Sequence, residues 1–522
     1  MQVSMTMQDP EKAAILGVKP GKTDAKLSNP FYQATELDKI GKHKEAEHLY
    51  SELLNADFTN SAVMAALGMN YAITERNALS CLLLKTALSN VDNILGDFKK
   101  IGIIAKTTSK ADEDSFVNVK RSEIMNAIGT CYKHENNCPV AREWFEKAQA
   151  GLPINPDIQN NMGTLYINEG KPEDALRHLN LALSVSPEHA QAHWNKSLAL
   201  LEMGDYVQGW PEYDYGFPAN VRHERNFSDS TIPTWDGTPG KSIIVYGEQG
   251  IGDEILFASC LQELIGMSKL VVFECHKKLH HLFANSFPTI DIYPTREDPQ
   301  ISWPVKQDGT KRYNFDAKIA IGSLPRYFRQ DISKFPGVPF ITPTVKSEAD
   351  WTIRLNKLGP KPKIGIGWIG GHKRTRVEVR SMHLEQLLPI LKQDADFISL
   401  QYTPCEDELA EFERVHGIHI HHFPEACYSP NYDDKAGLVA NLDLVITVCT
   451  SAVHLAGSMG VPTWVMTPSR PAWRYRLDLD YMPWYGKTVT LFRQAEITTD
   501  WTPVVTEVSE ALSELLTAKA PS

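Results

Sequence analysis

The sequence predicts an N-terminal helical solenoid followed by two Rossmann-like α/β domains. Three observations carry this. A 34-residue periodicity runs through residues 31–217 of the 522. A strand, glycine loop and helix follow one another from Lys241, and a second such unit occupies residues 441–474. Apolar residues recur at helical spacing in the first part and as short Val/Ile/Leu runs in the second, the two periods that separate amphipathic helices from buried parallel strands.

Composition sets the outer limits. Hydrophobic residues make up 42% and charged residues 22%, as in a soluble globular protein, and the length suggests about three domains. A net charge of −11 argues against a broad non-specific grip on nucleic acid, although it leaves room for one local basic groove. The first thirty residues mix polar and charged types with Pro10, Pro20 and Pro30, and lack the apolar core of a signal peptide. No run is long enough to span a bilayer. The cysteines at 81, 131, 138, 260, 275, 405, 427 and 449 form no CxxC pair, so neither a disulfide framework nor a zinc knuckle is expected. A reducing, cytoplasmic setting is the expectation.

The repeats come first. With residues 126–153 laid on 160–187, Gly129 meets Gly163, Tyr132 meets Tyr166, Ala141 meets Ala175, Ala148 meets Ala182 and Pro153 meets Pro187. Ser197, Leu200 and Gly204 continue the phase. Upstream, Ala34, Leu37, Ala46 and Tyr50 pair at the same period with Gly68, Tyr71, Ser80 and Leu84. Alternating small and large residues at this spacing describe helix pairs packed closely at Gly or Ala. They resemble tetratricopeptide repeats (TPR). The two groups are out of phase, so residues 91–114 should hold an irregular unit, with 106–110 as an exposed loop. Stacked helix pairs offer a curved surface for peptide or protein, or serve only as a scaffold, and both readings stand. Trp210, Tyr213 and Tyr215 should seal the last repeat, and the Pro/Gly content of 218–240 reads as a linker.

In the first α/β unit, 243–246 is a buried strand, 247–252 a glycine loop and 253–264 an amphipathic helix. Gly247, Gly250 and Gly252 give G-x-x-G-x-G rather than the G-x-G-x-x-G of dinucleotide sites, and no acidic residue closes the second strand in the usual place. Asp253 is either a helix N-cap or a general base aimed into a cleft. Further strands are expected at 270–273, 290–292 and 315–321.

A second α/β domain restarts at Lys363 with a strand at 364–368. It is followed by the basic loop Gly370, Gly371, His372, Lys373, Arg374, Thr375, Arg376 and then Arg380. After a strand at 397–401 comes the apolar run 442–448, with Thr450 and Ser451 opening the helix 452–459. A helix N-terminus at the carboxyl end of a parallel strand favours a phosphate; equally, these hydroxyls can be ordinary caps.

Taken in order, GEQGIGDEILFA (247–258), SLP (323–325), RSM (380–382), SLQ (399–401), HLAGSMGVPTWV (454–465) and PWYGKTVTLFRQ (483–494) resemble TPR-containing glycosyltransferases with a GT-B catalytic core. That group is distantly similar to the heptosyltransferases and to O-GlcNAc transferase. The resemblance implies a tail (1–30), TPR repeats (31–217), a linker (218–240), an acceptor-side domain (241–348), a nucleotide-sugar domain (349–495) and a C-terminal helix and tail (496–522). It implies inverting, metal-independent transfer from a nucleotide-diphosphate sugar, which is a co-substrate, with no resident cofactor. By position, Asp253 resembles the catalytic base. Gln249, Gly250, Gly252, Trp368, Lys373, Arg380, Gln401, Thr450, Ser451 and His454 are the implied nucleotide-sugar contacts. The acceptor is open among protein, glycan and modified nucleic-acid base, and the TPR surface would take it or a protein partner. Relatives usually carry Asp where this chain has Cys449, which raises a rival reading: a catalytically silent GT-B fold acting as an adaptor.

Two further patterns read as structural. Asp478-Leu479-Asp480 spells D-x-D but falls after the last β/α unit, and His419 and His421 alternate on a strand without a carboxylate or Cys at ligand spacing. The segment 504–516 is an amphipathic helix, and in GT-B proteins such a last helix often crosses back to the first domain.

Overall fold

Alternating helical hairpins fill the first part of the chain and two parallel sheets the second. The computed structural model describes residues 29–519, apart from 105–108, 228–230, 300, 302, 304–311, 372–376 and 497. The chain divides into two compact units, 1–196 and 197–522.

In the first unit, α1 (Pro30–Lys39) pairs with α2 (His43–Ala56), and α3 (Ser61–Ile73) with α4 (Asn77–Ser89). After the short α5 (Ile94–Lys100), α6 (Lys110–His134) pairs with α7 (Cys138–Gly151) and α8 (Pro156–Asn168) with α9 (Pro172–Val185). Asn29 and Asn155 cap α1 and α8 by accepting backbone N–H groups, and Pro30, Pro156 and Pro172 occupy first turns, where a missing N–H costs nothing. Repeat positions Ala141, Ala148, Ala175 and Ala182 are fully buried. A Cβ on Gly163 would lie 2.6 Å from Leu179 Cγ, and one on Gly129 2.7 Å from the Phe145 ring, so the glycines set the helix spacing. Amides 35 residues apart tie successive repeats: Asn161 Nδ2 donates to Asn126 Oδ1 at 3.0 Å and Asn195 Nδ2 to Asn160 Oδ1 at 2.8 Å. The phase offset is taken up in α6, which has 25 residues where α8 has 13. Of the loop expected at 106–110, Ser109 caps α6 and Lys110 is already helical, while 106–108 lie outside the described residues.

The second unit holds α10's last turns (Ala190–Met203), α11 (Tyr206–Tyr213) and both sheets. The first sheet has four parallel strands in the order β3-β2-β1-β4: β1 (Ser242–Tyr246), β2 (Leu270–Glu274), β3 (Asp291–Tyr293) and β4 (Ala317–Ala320). The second runs β10-β11-β9-β8-β5-β6-β7. Its strands are β5 (Lys363–Gly367), β6 (Asp396–Ser399), β7 (His421–His422), β8 (Leu444–Val448), β9 (Thr463–Thr467), β10 (Tyr481–Met482) and β11 (Gly486–Arg493). Among the described residues of this sheet, only the β10–β11 pair is antiparallel. Every residue of β1, β5 and β8 is buried, as central parallel strands covered on both faces must be. The expected architecture is thus the observed one, helical repeats followed by two parallel α/β domains.

Three local expectations change. The helix expected at 253–264 is two, α12 (Ile251–Ala258) and α13 (Leu261–Met267), because the Ser259 carbonyl between them accepts from Arg329 Nη2 at 2.8 Å. The segment 218–240 is not a free linker: Arg222, Phe227 and Trp235 are buried in the first α/β domain, and Thr234 bridges Lys318 of β4. The last helix, α23 (Thr502–Lys519), does not cross back. Trp501 ahead of it and its Val504, Val505, Val508 and Leu512 complete the core of the second sheet.

Candidate functional site

Two strand-to-helix turns meet in the second unit. β1 runs through Gly247–Gly250 into α12, and β8 runs through Cys449 and Thr450 into α22 (Ser451–Met459). The first turns of α12 and α22 pack against each other, since a Cβ on Gly252 would lie 2.8 Å from His454 Cδ2 and 3.4 Å from Ser451 Cα. Glycine at 252 is therefore what brings two helix N-termini, each carrying exposed N–H dipoles, to one place. The chain linking the sheets fixes α22 from behind, where Phe340 N and Ile341 N donate to Ser458 O at 2.9 and 3.1 Å.

Charge collects at this meeting point. Arg474 Nη2 donates to Asp253 Oδ1, an ion pair between the loop after β9 and the first turn of α12. Arg380, the last residue of α17 (Val377–Arg380), donates from Nη2 to the Cys449 carbonyl at 2.9 Å. Gly370 permits this approach, for a Cβ there would stand 3.0 Å from the same carbonyl and 2.9 Å from Arg380 O. Arg493, at the end of β11, donates to the Tyr475 and Leu479 carbonyls, both at 3.3 Å. Burial pushes the Cys449 thiol up, against the opposing pull of Arg380 and a hydrogen bond with Tyr475, which disfavours the thiolate that nucleophilic chemistry requires. His454 is hydrogen-bonded to Tyr485 Oη at 3.1 Å; burial, then Arg474 and Arg380, hold its imidazole well below the usual range.

The expected residues fall into two groups. Gly250, Gly252, Asp253, Thr450, Ser451, His454 and Arg380 come together here. Thr450 Oγ1 caps α22 by accepting from Ala452 N, and Ser451 Oγ shares a 2.7 Å hydrogen bond with Tyr432 Oη. Asp253 is not the N-cap of α12; that position is Gly250. Gln249 stands nearby in the loop before α12, with Oε1 accepting from Tyr213 Oη at 2.8 Å. Two others are internal. Trp368 is fully buried in the second core with its indole N–H directed at Glu408, and Gln401 is buried, its Oε1 accepting from Ile369 N. Both brace the loop after β5 rather than line its open side. Lys373, with the rest of the basic loop 372–376, lies outside the described residues. Asp478 of the D-x-D is occupied by Arg476, and His419 pairs with Glu413. Among the described residues no group of three His, Cys, Asp or Glu side chains has metal-ligand geometry.

Sequence reasoning passed over most of the arginines. The pairing of Arg474 with a residue 221 positions away has no local signal in the sequence. The first domain's carboxyl edge holds three more pairs: Arg222 with Glu248, Arg225 with Glu274, and Arg296 with Glu254. Burial pushes the Glu254 carboxyl up to about 7 against the pull of Arg296. Glu254 thus faces into its own domain, leaving Asp253 as the carboxylate at the meeting point.

No protein-family profile matches the sequence. The chain is 27% identical over 415 residues to protein FlbA of Caulobacter vibrioides, a match covering 76% of this chain and 68% of that protein. Among solved structures it is similar to the E. coli ADP-heptose lipopolysaccharide heptosyltransferase II, at 11% identity and a TM-score of 0.36 over 54% of this chain and all of that one. It is also similar to YrrB, described as a TPR protein, at 14% identity and a TM-score of 0.23 over 40% of this chain and 90% of that one. Among the described residues, no helix is long and apolar enough to cross a membrane.

Proposed function

We propose that the second unit transfers a sugar from a nucleotide-activated donor to an acceptor hydroxyl, at the meeting point of α12 and α22. The observation that carries this is the convergence of one carboxylate, Asp253, with Arg474, Arg380 and the N-terminus of α22. A donor's phosphates would lie at Thr450–Ser451, where the helix dipole and guanidinium groups neutralise the charge that develops as the leaving group departs. Asp253 would take the proton from the acceptor oxygen as that oxygen attacks the anomeric carbon. A single carboxylate suits one displacement with inversion, and arginines would serve where other transferases use a divalent ion. The donor is a co-substrate, and the helical repeats would carry a protein acceptor or partner.

The test screens nucleotide sugars by thermal shift and then follows transfer. A donor at a hundred times its dissociation constant adds about 2.7 kcal/mol to stability. Asp253→Asn should retain that shift and lower turnover by about a hundredfold or more. The pairing of Asp253 with Arg474 and the neutral Cys449 favour a second reading, a GT-B-like adaptor without activity. No shift with any donor and no transfer would establish that reading in place of the first, whereas turnover unchanged in Asp253→Asn would keep the transfer and remove Asp253 as its base.

A further inference from the structure

We infer that Arg380, Arg474 and Arg493 form a seat for an anionic group of the ligand around position 449, and that a thiol rather than a carboxylate at Cys449 is what keeps the seat available. All three guanidinium groups act electrostatically on the Cys449 thiol, Arg380 most strongly. They come from three separate places in the chain: α17, the loop after β9 and the end of β11. Against them stand few carboxylates. Asp253 pairs with Arg474. Glu202 and Asp478 act on Arg493 from a distance, and Asp478 is itself bound to Arg476. Among the described residues no carboxylate lies within ion-pair distance of Arg380 or Arg493. His454 adds no charge when neutral.

The hydrogen-bond inventory points the same way. Arg380 Nε, Arg474 Nε and Arg493 Nη1 are buried and have no acceptor among the described residues. Buried N–H groups are nearly always satisfied, and three such donors on three neighbouring cations call for an acceptor with several oxygens and negative charge. A carboxylate at 449 would meet that demand from within the protein. A thiol, held neutral by burial and bonded to Tyr475, leaves it to a ligand. An anion on Arg474 also competes with Asp253 for that guanidinium, so ligand binding would loosen the carboxylate that the transfer step needs. The ligand group is an oxyanion, either a phosphate of the donor or a carboxylate on its sugar.

This inference deepens the sugar-transfer reading, and it is tested without any transfer. Titration calorimetry on the full chain would compare inorganic pyrophosphate and glucuronate on wild type, Cys449→Asp, Cys449→Ser and Arg380→Gln. Binding should survive in Cys449→Ser and weaken about tenfold or more in Cys449→Asp and Arg380→Gln. Loss confined to pyrophosphate assigns the seat to a phosphate, and loss confined to glucuronate assigns it to a sugar carboxylate. If neither anion binds the wild type, or if Cys449→Asp binds both as tightly, the seat does not exist. Should Cys449→Asp fail to fold, Arg380→Gln against Cys449→Ser decides alone. Anion binding without transfer of any sugar would sink the proposed reaction and leave the seat standing.

Discussion

His454 shows how one buried side chain ties the site to pH. It sits in the first turns of α22, hydrogen-bonded to Tyr485, with Arg474 and Arg380 near enough to oppose a further positive charge. In the unfolded chain its imidazole takes up a proton near pH 6.5; in the folded protein it does not until far lower. The unfolded state therefore binds the extra proton as pH falls, and the stability contributed by neutral His454 is present above that pH and lost below it. Between pH 7 and pH 5 the loss should be about 2 kcal/mol. Denaturant unfolding of wild type and His454→Gln at both pH values would read it as a difference, since other histidines contribute to each. An equal pH dependence in the two proteins would mean that His454 is reached by solvent protons in the folded state.

At the scale of elements, the helix pairs depend on what small residues admit. Gly129 and Phe145 face each other across α6 and α7 so closely that any side chain at 129 meets the ring. Gly129→Ala should destabilise the wild type by about 1–3 kcal/mol through overpacking, and Phe145→Ala by about 3–5 kcal/mol through the cavity it leaves. Together they should cost clearly less than the sum, because the methyl enters the space the ring vacated. Additive costs in that double-mutant cycle would show that the close approach is not what limits position 129. This small–large code repeats at a fixed period, which is why the solenoid was legible in the sequence. Central strands β1, β5 and β8 were legible as short runs rich in Ile, Val and Leu. Edge strands β7 and β10, of two residues each, offer no run to read. The prolines and glycines of 218–240 gave a linker signal, whereas Arg222 and Trp235 make the segment part of a core. Within the site, the strand-to-helix turns could be placed from local pattern. The arginines could not, because their positions depend on chain segments far apart in sequence, and Trp368 was misplaced because a residue at a strand's carboxyl end can turn inward as readily as outward.

For the whole molecule, the division after Lys196 carries a thermodynamic consequence. The repeats bury their own core, from Ala34 through Cys131 and around Phe145, and the α/β unit buries separate cores around each sheet. Units that each bury a core open as separate cooperative blocks. Calorimetry of the full chain should then resolve two transitions. Phe145→Ala lies in the repeats and should lower one of them alone. Pyrophosphate, bound at Arg380, Arg474 and Arg493, should raise only the other, by mass action on the state that holds the seat. The two perturbations thus assign the transitions without cutting the chain. If pyrophosphate moves both transitions together, the repeats and the α/β unit share stability, and a partner bound to the repeats would then act on the sugar-transfer site through that coupling.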